Sequence, residues 1–486
     1  MKKEMALLIA MLFIVPTSIF AFKNTNNNDD KFTTSVAADQ PKNVTVIVKI
    51  NKIRAMSVDG KNPAFYLKVL INGVNAIWWQ QEYKGKEIEI EWPVASLTVN
   101  YTNGVIPIQI ELWKKGLIDR PCDIGRGKSP YLEGKAVTIF YNLTTGEWYG
   151  DDWLNDSDGY GHVSGFEDGN YNEDDCEIWF DVYERYYNIS THDRMTYWDK
   201  LKYGLDPTKN YDDVDIDEDG IPSWWEDKYG YSPIVWNNHS IDPDNDGLTN
   251  YEEWETSQWY SDPFAKDIFV EVDFMKAEHP WQADYTFPKE SQWLVETAFA
   301  RHNITLHIDD GWNGGGDYVP YDDALSGKEL QAIRWKYFMN GDAHNWKRGV
   351  FHYALMCSNI YWSYRPAGGR MFYIDSFTVG VQYVRDWLWA LRLQGSDYYT
   401  ALASVWMHEL GHNLGIFSSN SPGCDNDNTR FPWQAGYWKY GNYKSCMNYR
   451  YVFKLVDYSD GSHGENDFDD WGHLDLTQFN GEAWWI

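Results

Sequence analysis

The run His408-Glu409-Leu410-Gly411-His412 holds the residue types and spacing in this chain best suited to chemistry. On a helix, positions i and i+4 project from one face about a turn apart, so both imidazoles can bind one metal ion. Such a pair points to zinc. Glu409 directly follows the first ligand, placed to take a proton from the water that the metal acidifies and to hand it to a leaving amine. It is the candidate general base. The flanking residues suit the required helix: Ser396 or Asp397 can cap it, YYTALASVWMHELGHNLG continues it, and Gly415 is its expected stop.

A second metal chemistry lies upstream. Asp215, Asp217, Asp219, Gly220, Ser223 and Glu226 fall at positions 1, 3, 5, 6, 9 and 12 of a calcium loop, and Asp242, Asp244, Asp246, Gly247, Asn250 and Glu253 repeat the pattern. Calcium takes 6 to 8 hard oxygens, which short carboxylates, the position-7 carbonyls of Ile221 and Leu248, and a two-oxygen Glu at position 12 supply. Only 15 residues separate the loops, too few for the helices of a paired EF-hand domain. They resemble the calcium loops of dockerin or thrombospondin-type repeats. A decayed copy, HDRMTYWDKLKYGLDP, carries Arg194 where the loop glycine belongs and lacks most ligands, so it is expected to be empty.

The histidine motif continues as HELGHNLG, and SCMNY follows downstream. The latter resembles the Met-turn beneath the zinc of metzincin peptidases, with Met447 as its methionine. With the strand–helix–strand pattern before it, roughly the last 220 residues resemble a metzincin-type zinc metalloendopeptidase. The resemblance implies an α/β zincin domain, a zinc cofactor and hydrolysis of protein or peptide substrates. In astacin-like and serralysin-like members a Tyr two places after the Met faces the zinc, and Tyr449 stands there.

One departure matters. The family's third ligand belongs at position 418, where Ser418 is a poor zinc ligand. A third protein ligand must then come from elsewhere. Asp425 is the candidate, because the turn at Pro422-Gly423 can fold its loop back under the helix; His463, His473, Asp427 and an unoxidised Cys424 compete. Five cysteines suit two disulfides and a leftover thiol in an oxidising compartment. Pairing Cys424 with Cys446 would hold Asp425 beside the Met-turn, Cys122 would pair with Cys176, and Cys357, in the apolar run VFHYALMC, would be a core thiol.

The elements that must position these groups form a multidomain chain. Residues 43–183 alternate apolar and polar in runs such as VTVIVKI and PIQIELW, which predicts a β-sandwich. Residues 184–262 form the acidic calcium-loop segment. From 263 to 486, DIFVEVDFM, KESQWLVETAFARH and ITLHIDDG predict the mixed α/β domain. Residues 1–22 have the form of a secretory signal and 23–42 of a flexible spacer, implying a secreted or cell-surface protein with no membrane span once the signal is removed.

Charge narrows the partners. The net charge is −30, and 30 acidic against 6 basic residues lie between Asp151 and Asp262. Such a field repels phosphate backbones and attracts divalent cations, which excludes nucleic acid and favours calcium. Aromatics make up 17% of the chain, 27 of them Trp, enough for an exposed subset to stack on sugars. That leaves a rival reading: a calcium-stabilised surface module binding glycans or proteins, its zinc site degenerate.

Overall fold

A computed structural model describes residues 43–486 except 126–133, 144, 153–160, 169–172, 186–193, 196, 208, 313, 363–364, 394 and 481–486. The expected signal and spacer lie outside the described residues. The described chain is β-rich, with several sheets and a few helices, none long and apolar enough to cross a membrane.

The first part is built from β1 (Asn43–Ser57), β2 (Ala64–Ile71), β3 (Glu87–Asn100), β4 (Val105–Lys114), β5 (Val137–Asn142), β6 (Gly161–Ser164) and β7 (Asp175–Arg185). One antiparallel sheet has the order β6-β7-β1-β3; in the other, β4 lies between β2 and β5, with short strands on its margins. Val46, Val48, Phe65, Val69, Ile108, Ile139 and Ile178 share one core between them.

A bulge in β1 has consequences further along. Val44, Val46, Val48 and Ile50 point inward at every second residue, then the register shifts between Ile50 and Lys52, so that Ile53 and Ala55 take over the core positions. An extra residue in a strand reverses which face each side chain meets. Lys52 and Arg54 are thereby turned to the outer face, opposite Trp179 and Glu177 of β7.

Two short helices follow the acidic loops, α1 (Ser223–Lys228) and α2 (Asn250–Thr256), the latter started by a capping box between Thr249 and Glu252. The last part comprises β8 (Lys266–Met275), α3 (Lys289–Ala300), β9 (Ile304–Asp309), β10 (Phe351–Cys357), β11 (Gly369–Tyr373), β12 (Ser376–Gly380), α4 (Val381–Leu393) and α5 (Tyr398–Asn413). Its sheet runs β9-β8-β10-β12-β11, parallel except for β11, which is antiparallel at the edge. β10 is buried along its whole length, as strands covered on both faces are.

Buried charges tie the sandwich to this sheet. Arg54 faces Glu177 at 3.3 Å, Glu87 at 3.3 Å and Asp310 at 3.7 Å, while Lys289, at the start of α3, reaches Asp310 at 2.6 Å and Glu87 at 3.1 Å. Burial raises the Glu87 carboxyl, but Arg54, Lys289 and Lys52 outweigh it and hold it at about 2.

Neither disulfide expected from the sequence forms: Cys122, Cys176, Cys357, Cys424 and Cys446 are all buried free thiols. Backbone hydrogen bonds make the same connections instead. The Cys176 N–H donates to Asp123 O at 2.8 Å, and the Asp425 N–H to Met447 O at 3.2 Å. Burial pushes the Cys357 thiol up to about 12 and the Cys446 thiol well above its ordinary value, keeping both protonated.

Candidate metal centres

Helix α5 is buried on all sides from Ala401 to Asn413, which explains its near-continuous apolar sequence. The Asp397 carboxylate caps it by accepting the Thr400 N–H at 2.8 Å, and the chain leaves it at Gly415, φ 88°. Trp406 locks it into the core, stacked on Phe287 and edge-on to Phe377. Asn413 donates to the carbonyls of Tyr373 and Ile374, fixing the helix against the turn between β11 and β12.

On this rigid element His408 and His412 are set nearly perpendicular, ring centres 5.0 Å apart. Each Nδ1 is held by a carbonyl, Cys446 O at 2.9 Å for His408 and Ile416 O at 2.8 Å for His412. Anchoring one ring nitrogen fixes the tautomer and directs the other outward, the arrangement that metal-ligating histidines use. Both Nε2 atoms converge on Asp425, His408 to Oδ1 at 3.1 Å and His412 to Oδ2 at 3.2 Å. Asp425 adopts a left-handed backbone, φ 52°, which Asp tolerates better than most residues and which turns its carboxylate to the helix. These three side chains lie close enough together to hold one ion, and the donor set suits zinc.

The other candidate third ligands lie elsewhere. Asp427 pairs with Arg430, His463 forms its own group with Asp460 and Asp467, and the His473 Nδ1 bonds Asp469 O. Ser418 is exposed on the turn after the helix. Cys424 is a buried thiol.

Met447 lies directly beneath the motif. A Cβ placed on Gly411 would stand 2.7 Å from Met447 Sδ and 3.0 Å from the Tyr458 hydroxyl, so only glycine fits inside HELGH here. Tyr449 stacks 5.9 Å from His408, with the Arg430 guanidinium 4.2 Å over its ring. Burial and the Asp425 charge push its hydroxyl far above the usual range, so it remains a donor.

Glu409 is 6% exposed and packs on edge strand β11, where a Cβ on Gly369 would come within 2.4 Å of its Oε1. Burial raises its carboxyl, while the two histidines pull it down. For His408, burial opposes the charge, but the hydrogen bond and charge of Asp425 raise it to about 9. Gly369 escaped the sequence reading, because a close approach between strand and helix leaves no local signature.

The acidic loops take the geometry their spacing predicts. Asp215 accepts the N–H groups of Glu218 and Gly220, and Asp242 those of Asn245 and Gly247, closing each turn on its first ligand. Asp215, Asp217 and Asp219 form one group, Asp242, Asp244 and Asp246 another. Both side-chain oxygens of Glu226 and of Glu253 are buried without a hydrogen-bond donor, as are both of Asp217 and one of Asp244. Burial, reinforced by neighbouring carboxylates, raises Glu226 to about 9 and Asp244 to about 8. Buried carboxylates without donors are what calcium would satisfy.

Ser223 Oγ accepts the Ile216 N–H, and Ile221 packs with Trp224 and Trp225. Leu248 joins the core of the α/β sheet, and Asp246 accepts the Asp267 N–H at 2.7 Å, docking the second loop on β8. His239, which the sequence reading missed, bridges the loops: Nε2 lies 3.0 Å from Asp219 Oδ2, and Nδ1 accepts the Asn250 amide at 3.2 Å. Its position three residues before Asp242 was the available signal. In the decayed copy, the Arg194 guanidinium lies 3.9 Å over the Trp224 ring.

Compared with known proteins, the chain matches no family model, and a search of curated proteins finds no match to it.

Proposed function

We propose that this chain is an exported, calcium-bound, zinc-dependent endopeptidase whose last part is a metzincin-like catalytic domain. The observation carrying the reading is the convergence of both histidine Nε2 atoms on Asp425, with a glutamate from the same helix beside them and a methionine beneath. Zinc held by His408, His412 and Asp425 would supply Lewis-acid polarisation of a scissile carbonyl and acidification of water. Glu409, desolvated on β11, takes the proton of the attacking water and returns it to the leaving amine. The Tyr449 hydroxyl donates to the developing oxyanion. Strand β11 lies at the edge of its sheet, where an extended peptide could add alongside it, which suits a protein substrate. In the loops, Ca2+ would take the carboxylates of Asp215, Asp217, Asp219 and Glu226, and of Asp242, Asp244, Asp246 and Glu253.

The test is cleavage of an unstructured protein by wild type and by Glu409→Gln. The substitution should lower the rate by about 10²- to 10⁴-fold with zinc content unchanged. Equal cleavage by both would remove Glu409 from the mechanism. A calcium-stabilised surface module with a degenerate zinc site would show no zinc-dependent cleavage at all.

A further inference from the structure

Two cavities adjoin at Gln258 and Trp259, and neither is lined by a residue assigned to the metal centres. The larger, about 1010 Å³, is open and walled by Trp224 and Trp254 from α1 and α2, with Trp346 opposite and Arg194, Asp213 and Glu255 on its margins. The smaller, about 350 Å³, lies between the sandwich and the α/β sheet, against Trp179 and Trp312, and receives Lys52, Arg54, Glu177 and Glu296. The β1 bulge is what aims Lys52 and Arg54 into it. Tryptophan runs through both: Trp259 stacks on Trp346 at 5.7 Å and meets Trp312 at 5.5 Å.

We propose that this tryptophan-walled groove binds a neutral oligosaccharide, with a terminal sugar residue seated in the smaller cavity. The chemistry of the walls selects the ligand. A sugar ring presents C–H groups on its faces, drawn to the negative face of an indole, and hydroxyls around its edge that both donate and accept. Trp254, Trp259, Trp312 and Trp346, bordered by charged side chains, match that division, while Trp224 lies under Arg194 and Trp179 stacks on His162 at 4.3 Å.

Charge within the cavity is already balanced, which favours a neutral ligand. Arg54 is matched by Glu87, Glu177 and Asp310, and Lys52 by Glu87 and Glu89 at 3.4 Å each. Glu296 is the exception. It is 8% exposed, lines the cavity, and takes part in none of these ion pairs. Burial and the Glu177 charge raise it to about 8, so at neutral pH it carries a proton and can donate to one hydroxyl while accepting from another. The smaller volume is at the low end of small-molecule pockets, roughly 300–1,000 Å³, which suits one or two sugar units.

The test titrates the intact, calcium-loaded chain with soluble hexaoses of glucose, mannose, xylose and N-acetylglucosamine, reading heat and tryptophan fluorescence. At least one should bind. Trp346→Ala, at a side chain 43% exposed, should weaken it at least about tenfold, as should Glu296→Met, which removes both the donor and the acceptor at similar size, with melting temperatures not lowered. Absence of binding by all four sugars, or binding unaffected by both variants, would overturn the proposal. So would a proline-rich peptide that binds wild type where the sugars do not and is lost in Trp346→Ala, which would reassign the groove to protein recognition.

Discussion

At helix α5 each histidine nitrogen already has a partner within the chain, whereas in the two acidic loops the deepest carboxylates have none. Asp425 and the two histidines are partners to one another, so this group keeps its shape without a metal. Burial and neighbouring carboxylates dominate at Glu226 and Glu253, with His239 3.9 Å from Glu226, and raise both. On the proposed function, the difference separates two uses of metal: zinc would be added to a finished site to do chemistry, while calcium would complete a structure that is unsatisfied without it. A third set of carboxylates, gathered around the buried Arg54, sharpens the contrast. Glu87, Glu177 and Asp310 obtain their cations from the chain itself, in Arg54 and Lys289.

Removing the built-in cation should have the largest effect on stability. Arg54→Met leaves the buried Glu177 and the largely buried Asp310 short of a partner and should cost about 3–5 kcal/mol, measured by urea denaturation. A cost under about 1 kcal/mol would mean that these charges are effectively solvated.

Removing the imported cation comes next. An ion at a hundred times its dissociation constant stabilises a site by about 2.7 kcal/mol, so chelation with EGTA should lower the melting temperature and open residues 215–253 to proteolysis while exchange in α5 stays slow. The effect should depend on pH. Glu226 and Asp244, raised to about 9 and about 8, hold protons more tightly folded than unfolded. The metal-free loops are therefore best supported below about pH 4 and lose that support as pH rises towards 8 or 9, so the calcium-induced rise in melting temperature should be greater at about pH 8 than at about pH 5. An equal rise at both would break the comparison.

The smallest effect belongs to the self-satisfied site. In the zinc-free protein His408, raised to about 9, contributes stability that is fully present below about pH 6.5 and is lost as pH rises through 9. Asp425→Ala removes the largest raising partner and leaves burial opposed only by Glu409 and the Cys446 carbonyl, so the NMR titration of His408 should move down from about 9. A titration unmoved by the substitution would show that Asp425 does not hold the histidine.

Much of this was legible in the residues because the signals are local. A helix motif, two loop patterns and strand alternation each reside in a short window, and Asp397, Asp215 and Val44 to Ile50 act as their spacing requires. What escaped depends on chain segments far apart in sequence. The bulge that turns Lys52 and Arg54 outward, the glycine against Glu409 and the histidine between the loops acquire their roles only when strands and helices meet. The disulfides were misjudged for the same reason. The cysteine count and an expected oxidising compartment suggested bonds, yet the thiols are free and backbone contacts at Asp123 and Met447 already fix those segments.

The most direct test of this division of metals is anomalous diffraction from crystals grown with both ions, measured on either side of the zinc absorption edge. The account predicts a zinc signal among His408, His412 and Asp425, with density in the two acidic loops that shows no zinc edge. A zinc signal in a loop, or at Asp460, His463 and Asp467, with none at the α5 triad would contradict it.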